Sequence, residues 1–236
     1  MIDLSLVIPI KDERDNLRTL HERIEAALRP AGWSYEIVFV DDGSIDDSYL
    51  VMAELAAVDP RVKVIRLRRN FGQSAAMQAG IDHAEGDILI TLDGDLQNDP
   101  ADIPMLVHTL RNGDYDAVFG MRASRQDTYL NRKLPSQLAN WLIRKVTGVE
   151  VRDMGCTLRA LRRDLAKSLS LYGEMHRFIP VLVQDAGASY VQVPVNHHPR
   201  TAGKTKYNLT RAFRVVLDLI TVKFMQSYMT RPMHVM

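Results

Sequence analysis

Short runs rich in Val and Ile alternate along the first half of the chain with segments that have helical spacing. Such runs, bounded by polar residues or glycine, are typical of buried strands in a parallel sheet. Between the first two runs, Leu17, Leu20 and Ile24 recur as on one face of a helix, and Asp12 is the capping candidate before it. The five runs are LSLVIPI from Leu4, YEIVFVD from Tyr35, VKVIRL from Val62, DILITLD from Asp87 and YDAVFG from Tyr115. This alternation predicts an α/β fold, a doubly wound and mostly parallel sheet with helices on both faces.

Polar side chains follow three of these predicted strands at the point where each strand ends. They are the segments Pro9 to Glu13, Asp41 to Ser44 and Asp93 to Asp95. In doubly wound sheets, ligands bind beyond the carboxyl ends of the strands. We therefore expect the three acidic segments to converge on one edge of the sheet and to form the functional site there.

The segment DGDLQ after the fourth strand has the residue types of a divalent-metal site. Asp93 and Asp95 are separated only by Gly94, so two carboxylates and the Gln97 amide can reach a common point. Hard oxygen ligands suit Mg²⁺ or Mn²⁺. Taken alone, an Asp-x-Asp segment is a weak signal and is more often a solvated turn with an Asx cap.

Beyond Gly120 the pattern is looser and ends in a basic tail. We expect, in order, a helix over 135–146, a strand near 157–161, a helix around 175–186, a strand from Ser189 and an amphipathic helix from about Asn208 to Met229. Residues 200–236 carry seven Lys or Arg side chains against Asp218 alone, although the formal net charge of the chain is only +1. A helix with an apolar stripe and basic flanks can lie against an anionic membrane surface. Packing of this helix in the core or at an oligomer contact is the other interpretation.

Cellular location follows from what the sequence lacks. It has one cysteine, Cys156, which suits a reducing compartment. Neither a signal peptide nor a run of about 18 uncharged apolar residues is found. We therefore predict a protein on the cytoplasmic face of the inner (cell) membrane, bound peripherally. Nothing in the sequence points to a nucleic-acid partner, and it leaves room for a homo-oligomer.

Several motifs occur in a fixed order and together resemble a known family. The segments PIKDE, VDDGSID, NFGQSAA and TLDGDLQNDP follow the first four strands, and RKLPS, DMGCTLRALRR, MHRFIP and PRTAGKTKYN come later. As a set they resemble family 2 glycosyltransferases with the GT-A fold, a Rossmann-like architecture. The later segments are similar to the polyprenyl-phosphate sugar transferases, such as dolichol-phosphate mannose synthase and the undecaprenyl-phosphate glucose and aminoarabinose transferases.

This resemblance implies a role for each candidate site residue. Nucleotide-sugar binding falls to Pro9, Glu13, Asp41, Asp42, Asp93 and Lys206, metal binding to Asp93, Asp95 and Gln97, acceptor-phosphate binding to Arg122, Arg132 and Ser136, and catalysis to Asp95, Asp153 and Arg200. Two roles remain open for Asp153, because it could assist the acceptor or orient an arginine. The resemblance further implies a GT-A catalytic domain over 1–206, with a nucleotide-sugar half (1–120) and an acceptor half (121–206). Residues 207–236 would then form a juxtamembrane helix, after which related enzymes often continue into transmembrane segments.

The expected activity is inverting transfer of a sugar from a nucleotide donor to a polyprenyl phosphate, assisted by Mg²⁺ or Mn²⁺. A UDP-sugar is favoured as donor, with a GDP-sugar as the other option. The phosphate acceptor has a second pKa near ~6, so it needs positioning more than deprotonation. Two alternatives stay open at this point: a GT-A transferase with a saccharide or protein acceptor, and a non-catalytic protein that binds nucleotide sugars or lipid phosphates.

Overall fold

One mixed β-sheet organises the part of the chain that the structure describes. A computed structural model gives residues 2–122 and 147–199, together with residues 221 and 224. The strands are β1 (Leu4–Ile10), β2 (Tyr35–Asp41), β3 (Val62–Arg66), β4 (Ile88–Thr91), β5 (Ala117–Arg122), β6 (Arg159–Arg162) and β7 (Tyr190–Val195). The helices are α1 (Arg14–Leu28), α2 (Ser48–Val58), α3 (Gln73–His83), α4 (Ile103–Asn112), α5 (Arg163–Ser168) and α6 (Ile179–Asp185). Short 3₁₀ turns lie at Arg29–Ala31, Pro100–Asp102 and Met175–Arg177.

The strand order is β3-β2-β1-β4-β6-β5-β7, and every pairing is parallel except the two that β6 makes. The predicted doubly wound, mostly parallel sheet is therefore confirmed. Strand β6 follows a long excursion of the chain and enters antiparallel between β4 and β5. Because of this insertion, the segment just before β6 comes to lie beside the end of β4, where the predicted metal segment begins.

Both faces of the sheet are covered, as the alternation predicts. On β1, Leu6 and Ile8 face a buried cluster that includes Leu17 of α1. The intervening Val7 points to the other face, where it belongs to a cluster with Met77 of α3 and Ile179 of α6. Helices thus pack on both sides, and β1 is buried in the middle of the sheet.

The prediction that Asp12 caps helix α1 was wrong. Helix α1 has Glu13 at its N-cap position and no side-chain cap. Asp12 instead has a left-handed backbone with φ 56°, and its Oδ1 accepts a hydrogen bond from the backbone N–H of Ile45 at 2.8 Å. This bond joins the loop after β1 to the loop after β2 at the carboxyl edge of the sheet.

The later predicted elements are only partly within the described residues. The strand expected near 157–161 is β6, and the helix expected around 175–186 is a 3₁₀ turn followed by α6. The helix predicted over 135–146 lies outside the described residues, and only residues 221 and 224 of the predicted amphipathic helix lie within them. In the part that the structure describes, no helix combines the length and the apolar character needed to span a membrane.

Candidate active site

A cavity of about 280 Å³ opens at the carboxyl edge of the sheet, between the ends of β1, β2 and β4. The three polar strand-end segments meet there, as the sequence predicts. Candidate residues on its wall are Pro9, Glu13, Asp42, Asp93 and Asp95, and the loop between β3 and α3 adds Asn70, Gly72 and Gln73. Parallel strands bring these segments together because their carboxyl ends share one edge.

Asp93 and Asp95 present their carboxylates from a tight turn after β4. Asp93 Oδ1 accepts a hydrogen bond from Gln73 Nε2 at 2.7 Å, and Asp95 Oδ1 accepts one from the backbone N–H of Gln97 at 3.1 Å. Between them, Gly94 packs so closely on β1 that an added Cβ would lie 2.4 Å from Ile10 Cδ1. A larger residue here would have to displace the end of the Ile10 side chain, whereas the next nearest atom, the Pro9 carbonyl oxygen, lies 3.8 Å away.

These two carboxylates fit a Mg²⁺ or Mn²⁺ ion that is shared with a bound phosphate. In the described part of the chain, no three His, Cys, Asp or Glu side chains cluster closely enough to hold a metal by themselves. Mg²⁺ is usually held by one or two carboxylates and completed by water and substrate phosphates. A pair of aspartates beside an open cavity matches that arrangement better than it matches a closed structural site.

The Gln97 side chain contacts the segment that follows β7. Its Nε2 donates to the carbonyl oxygen of His198 at 3.5 Å, and Gln97 is not part of the cavity wall. Its backbone, by contrast, closes the turn on Asp95. Metal binding by Gln97 stays a prediction.

A buried arginine behind the turn was missed in the sequence. Arg159 of β6 is 1% exposed and donates to the backbone carbonyls of His176 at 2.8 Å and Met154 at 3.3 Å. Burial lowers the pKa of its guanidinium, and the negative charges of Asp93 and Asp153 act in the opposite direction. Arginine nevertheless stays charged in proteins. The available signal was an arginine within the strand predicted near 157–161. Because an arginine is rarely fully buried unless it has polar partners, one that lies in a buried strand indicates a polar contact inside the fold.

Asp42 organises the loop after β3. Its Oδ1 accepts the backbone N–H of Phe71 at 2.7 Å and its Oδ2 accepts that of Gly72 at 3.0 Å. Asp42 is only 4% exposed, so both bonds are shielded from water. The carboxylate of Asp42 therefore connects two loops of the cavity, a role that spacing along the chain does not reveal.

Asp41 combines a turn contact with an acceptor oxygen that has no hydrogen bond. Its Oδ1 accepts the backbone N–H of Ser44 at 2.8 Å. Its Oδ2 is buried without a hydrogen-bond partner within the described ranges, although Arg66 Nε lies 3.5 Å away as an ion pair. Asp41 is fully buried, and its neighbour Asp42 is the residue of this pair that lines the cavity.

Arg122 and Asp153 form a bidentate ion pair beside the end of β5. Arg122 donates from Nε to Asp153 Oδ2 and from Nη2 to Oδ1, both at 2.7 Å. The backbone N–H of Gly155 also donates to Asp153 Oδ1, at 3.2 Å. Of the two roles that the sequence leaves open for Asp153, this geometry favours orientation of the arginine, because both oxygens already accept hydrogen bonds.

Comparison with known proteins identifies the family. Residues 5–170 match the family model described as glycosyl transferase family 2. The chain belongs to glycosyl transferase family 2. That match covers well over half of the chain and includes the whole cavity.

Individual relatives in family 2 agree with the predicted subgroup. A dodecaprenyl-phosphate galacturonate synthase of Rhizobium johnstonii is 43% identical over 99% of this chain and 70% of its own length. An undecaprenyl-phosphate 4-deoxy-4-formamido-L-arabinose transferase of Edwardsiella ictaluri is 42% identical over 92% of this chain and 67% of its own length. The resemblance to polyprenyl-phosphate sugar transferases is thereby confirmed. This chain spans about two thirds of the length of these relatives.

Solved structures confirm the GT-A architecture of this family 2 chain. Glucosyl-3-phosphoglycerate synthase of Mycobacterium tuberculosis, in complex with Mn²⁺, UDP and glucosyl-3-phosphoglycerate, superposes with a TM-score of 0.72. The alignment covers 95% of this chain and 80% of that protein, with 17% sequence identity. At this identity the likeness concerns the fold alone.

Four of the residues predicted for the family 2 site lie outside the described residues. They are Arg132, Ser136, Arg200 and Lys206. Their phosphate-binding and catalytic roles therefore stay predictions. Of the remaining candidates, Glu13 also has a local contact, because its Oε2 accepts a hydrogen bond from Asn16 Nδ2 at 2.6 Å.

Proposed function

We propose that this chain transfers a sugar from a nucleotide donor to a polyprenyl phosphate. The observation that carries the proposal is the cavity in which Asp93 and Asp95 meet the polar ends of β1 and β2. It is supported by relatives at 42–43% identity that are named as transferases or synthases acting with polyprenyl phosphates. An intact acidic pair also favours catalysis over simple binding of a nucleotide sugar.

Asp93 and Asp95 would hold the divalent cation, Mg²⁺ or Mn²⁺. Such an ion neutralises charge on the departing nucleoside diphosphate. Gln73 holds Asp93 in place through the 2.7 Å hydrogen bond to its Oδ1. Support for a metal and for a UDP-sugar also comes from the structurally similar synthase, which was crystallised with Mn²⁺ and UDP.

The loops after β1 and β2 would receive the nucleotide. Asp41 offers a buried carboxylate oxygen that lacks a hydrogen bond among the described residues, and a ribose hydroxyl or a base N–H could donate to it. Pro9, Glu13 and Asp42, the residue that follows Asp41, line the cavity. Asp42 would act indirectly, by holding the backbone of Phe71 and Gly72 at the cavity wall.

Arg122 would bind the acceptor phosphate, with Asp153 fixing its orientation. The planar guanidinium of an arginine presents a fork of N–H donors that suits the oxygens of a phosphate. The phosphate monoester is already largely dianionic at neutral pH. Its oxygen can therefore attack the anomeric carbon while the bond to the nucleoside diphosphate breaks, which inverts the configuration. By resemblance, Arg132 and Ser136 would share the acceptor phosphate, and Arg200 and Lys206 would contact the departing diphosphate.

The same proposal places the active edge at an anionic membrane surface on the cytoplasmic face. A polyprenyl phosphate stays in the bilayer, so the enzyme must meet it there. The basic excess of residues 200–236 suits such a surface. Binding to anionic vesicles that weakens at high salt is the expected behaviour.

A single-turnover assay tests the proposal directly. The chain is mixed with a panel of UDP- and GDP-sugars, Mn²⁺ and undecaprenyl phosphate, and released nucleoside diphosphate and lipid product are quantified. We expect release that depends on the lipid, and at least about a hundredfold slower release in Asp95→Asn, since removed electrostatic contacts to a developing charge typically have effects of that size. Asp114→Asn is the control, because its side chain is 98% exposed and remote from the cavity. Release driven by a saccharide or protein acceptor instead of the lipid, or nucleotide binding without any turnover, would contradict the proposal.

A further inference from the structure

The turn that carries the two aspartates contains a residue in an unfavourable backbone conformation. Leu96 has φ 59°, in the left-handed region. A side chain with a Cβ crowds the backbone there, which is why glycine and asparagine are the usual occupants. Residues held in such conformations persist only where their surroundings impose them, and they cluster at functional sites.

The surroundings impose this conformation from two sides. The side chain of Leu96 is 6% exposed and belongs to the same buried cluster as Leu92 and Ile103. On the other side, the backbone N–H of His198 donates to the Gln97 carbonyl oxygen at 2.8 Å. The next residue, Asn98, forms a β-bridge with His197.

Asn98 is fixed further by its own side chain. Its Nδ2 donates to Thr157 Oγ1 at 2.7 Å in a buried contact. The chain is therefore held in the core at Leu96 and docked against 197–198 and Thr157 immediately afterwards. Asp95, one residue earlier, still reaches the cavity and accepts the Gln97 N–H. The left-handed residue is what lets the chain change direction between these two constraints.

The geometry points to Leu96 as a positioning residue for the metal site: its left-handed backbone, held by the core, directs Asp95 into the cavity while residues 97–98 stay docked. This inference rests on the proposed function, since it assumes that Asp93 and Asp95 bind a divalent cation. If position 96 moved to an extended or right-handed conformation, either Asp95 would leave the cavity or the docked segment would separate.

Two explanations of the role of Leu96, side-chain packing and backbone conformation, predict opposite orders of Mn²⁺ affinity for variants at this position. Isoleucine has the composition of leucine and fills nearly the same volume, but its branched Cβ makes the left-handed region much less accessible. Methionine keeps an unbranched Cβ and a similar volume. Glycine removes the buried side chain entirely and yet adopts φ > 0 freely.

The test is the affinity for Mn²⁺, measured by electron paramagnetic resonance in the presence of UDP, together with the melting temperature of each variant. We expect Leu96→Met to bind Mn²⁺ within about twofold of wild type and Leu96→Ile to bind about tenfold more weakly, because a branched Cβ depopulates the left-handed turn. Leu96→Gly should bind more tightly than Leu96→Ile although it melts at a lower temperature. An affinity order that follows packing, with Ile near wild type and Gly weakest, would overturn the inference.

A second pair keeps the test decisive if Leu96→Ile does not fold. Leu96→Ala and Leu96→Gly both lose the buried side chain and differ mainly in the Cβ, so Gly should bind Mn²⁺ about fivefold more tightly than Ala. Equal affinities of these two variants would overturn the inference. Asp95→Asn separates the two proposals. If wild type binds Mn²⁺ no better than Asp95→Asn, the metal site of the proposed function is wrong. If Asp95→Asn loses Mn²⁺ binding but the affinities of the Leu96 variants follow how well each side chain packs, only the role of Leu96 is wrong.

Discussion

Asp42→Asn is expected to loosen the loop after β3 and thereby to weaken nucleotide binding. In the wild type, the two Asp42 oxygens accept the backbone N–H groups of Phe71 and Gly72 at 2.7 and 3.0 Å. Asparagine has one acceptor oxygen, so one of these N–H groups would face an NH₂ group. The adjoining residues Asn70 and Gln73 line the cavity, so the effect should reach the ligand.

The magnitude follows from the lost hydrogen bond. Leaving a buried donor without its acceptor costs about 1–3 kcal/mol. For a chain of this size, 1 kcal/mol lowers the melting temperature by roughly 2–4 °C, so a fall of about 2–12 °C is expected. If about 1.4 kcal/mol of that loss is the free energy of ordering the loop, UDP binding weakens about tenfold.

The assay combines calorimetric UDP titration in the presence of Mn²⁺ with amide hydrogen exchange in the absence of nucleotide. The exchange measurement separates loop ordering from a direct contact between Asp42 and the ligand, because Phe71 and Gly72 should exchange faster even without UDP. Asp59→Asn is the matched control. Asp59 is 7% exposed, compared with 4% for Asp42, and it accepts bonds from Arg61 at the opposite edge of the sheet. Unchanged exchange at Phe71 and Gly72, or equal loss of UDP affinity in both variants, would refute this reasoning.

Three further predictions test other parts of the structure. Hydrogen bonding from the Arg61 side chain holds the pKa of Asp59 well below its usual range. The ionised Asp59 carboxylate therefore stabilises the folded state fully above about pH 4, and this contribution is lost as the pH falls toward the pKa of the folded protein. The difference in unfolding free energy between wild type and Asp59→Asn, measured by urea unfolding, should therefore be larger at pH 7 than at pH 3. Burial raises the pKa of the Cys156 thiol to about 11, so DTNB at pH 8 should label it at least about tenfold more slowly in the folded protein than in urea. Gly43 and Gly32 both have φ > 0, but only at Gly43 would an added Cβ meet backbone, 2.6 Å from the Arg69 carbonyl carbon. Denaturant unfolding should show a loss of about 1–2 kcal/mol for Gly32→Ala and about 1–3 kcal/mol more for Gly43→Ala.

Local patterns predicted most of the framework. The apolar stripe of α1 and the Val- and Ile-rich runs depend on periodicity, which neighbouring residues determine by themselves. The convergence of the polar strand ends also followed from the sequence, because parallel strands place their carboxyl ends at one edge. The capping prediction for Asp12 failed, since a tertiary contact to Ile45 competes for its carboxylate.

What the sequence alone determined about this chain is therefore its α/β class, its family and the strand ends that form the cavity. Only the tertiary structure decided which partner each site residue has. It placed Asp42 on the backbone of Phe71 and Gly72, paired Asp153 with Arg122, and put Leu96 in a left-handed turn. The reason is physical. The bonds of Asp42 and Asp153 join segments about 30 residues apart, and the conformation of Leu96 depends on burial of its side chain. Long-range contacts and burial are both set by the way the whole sheet brings the chain together.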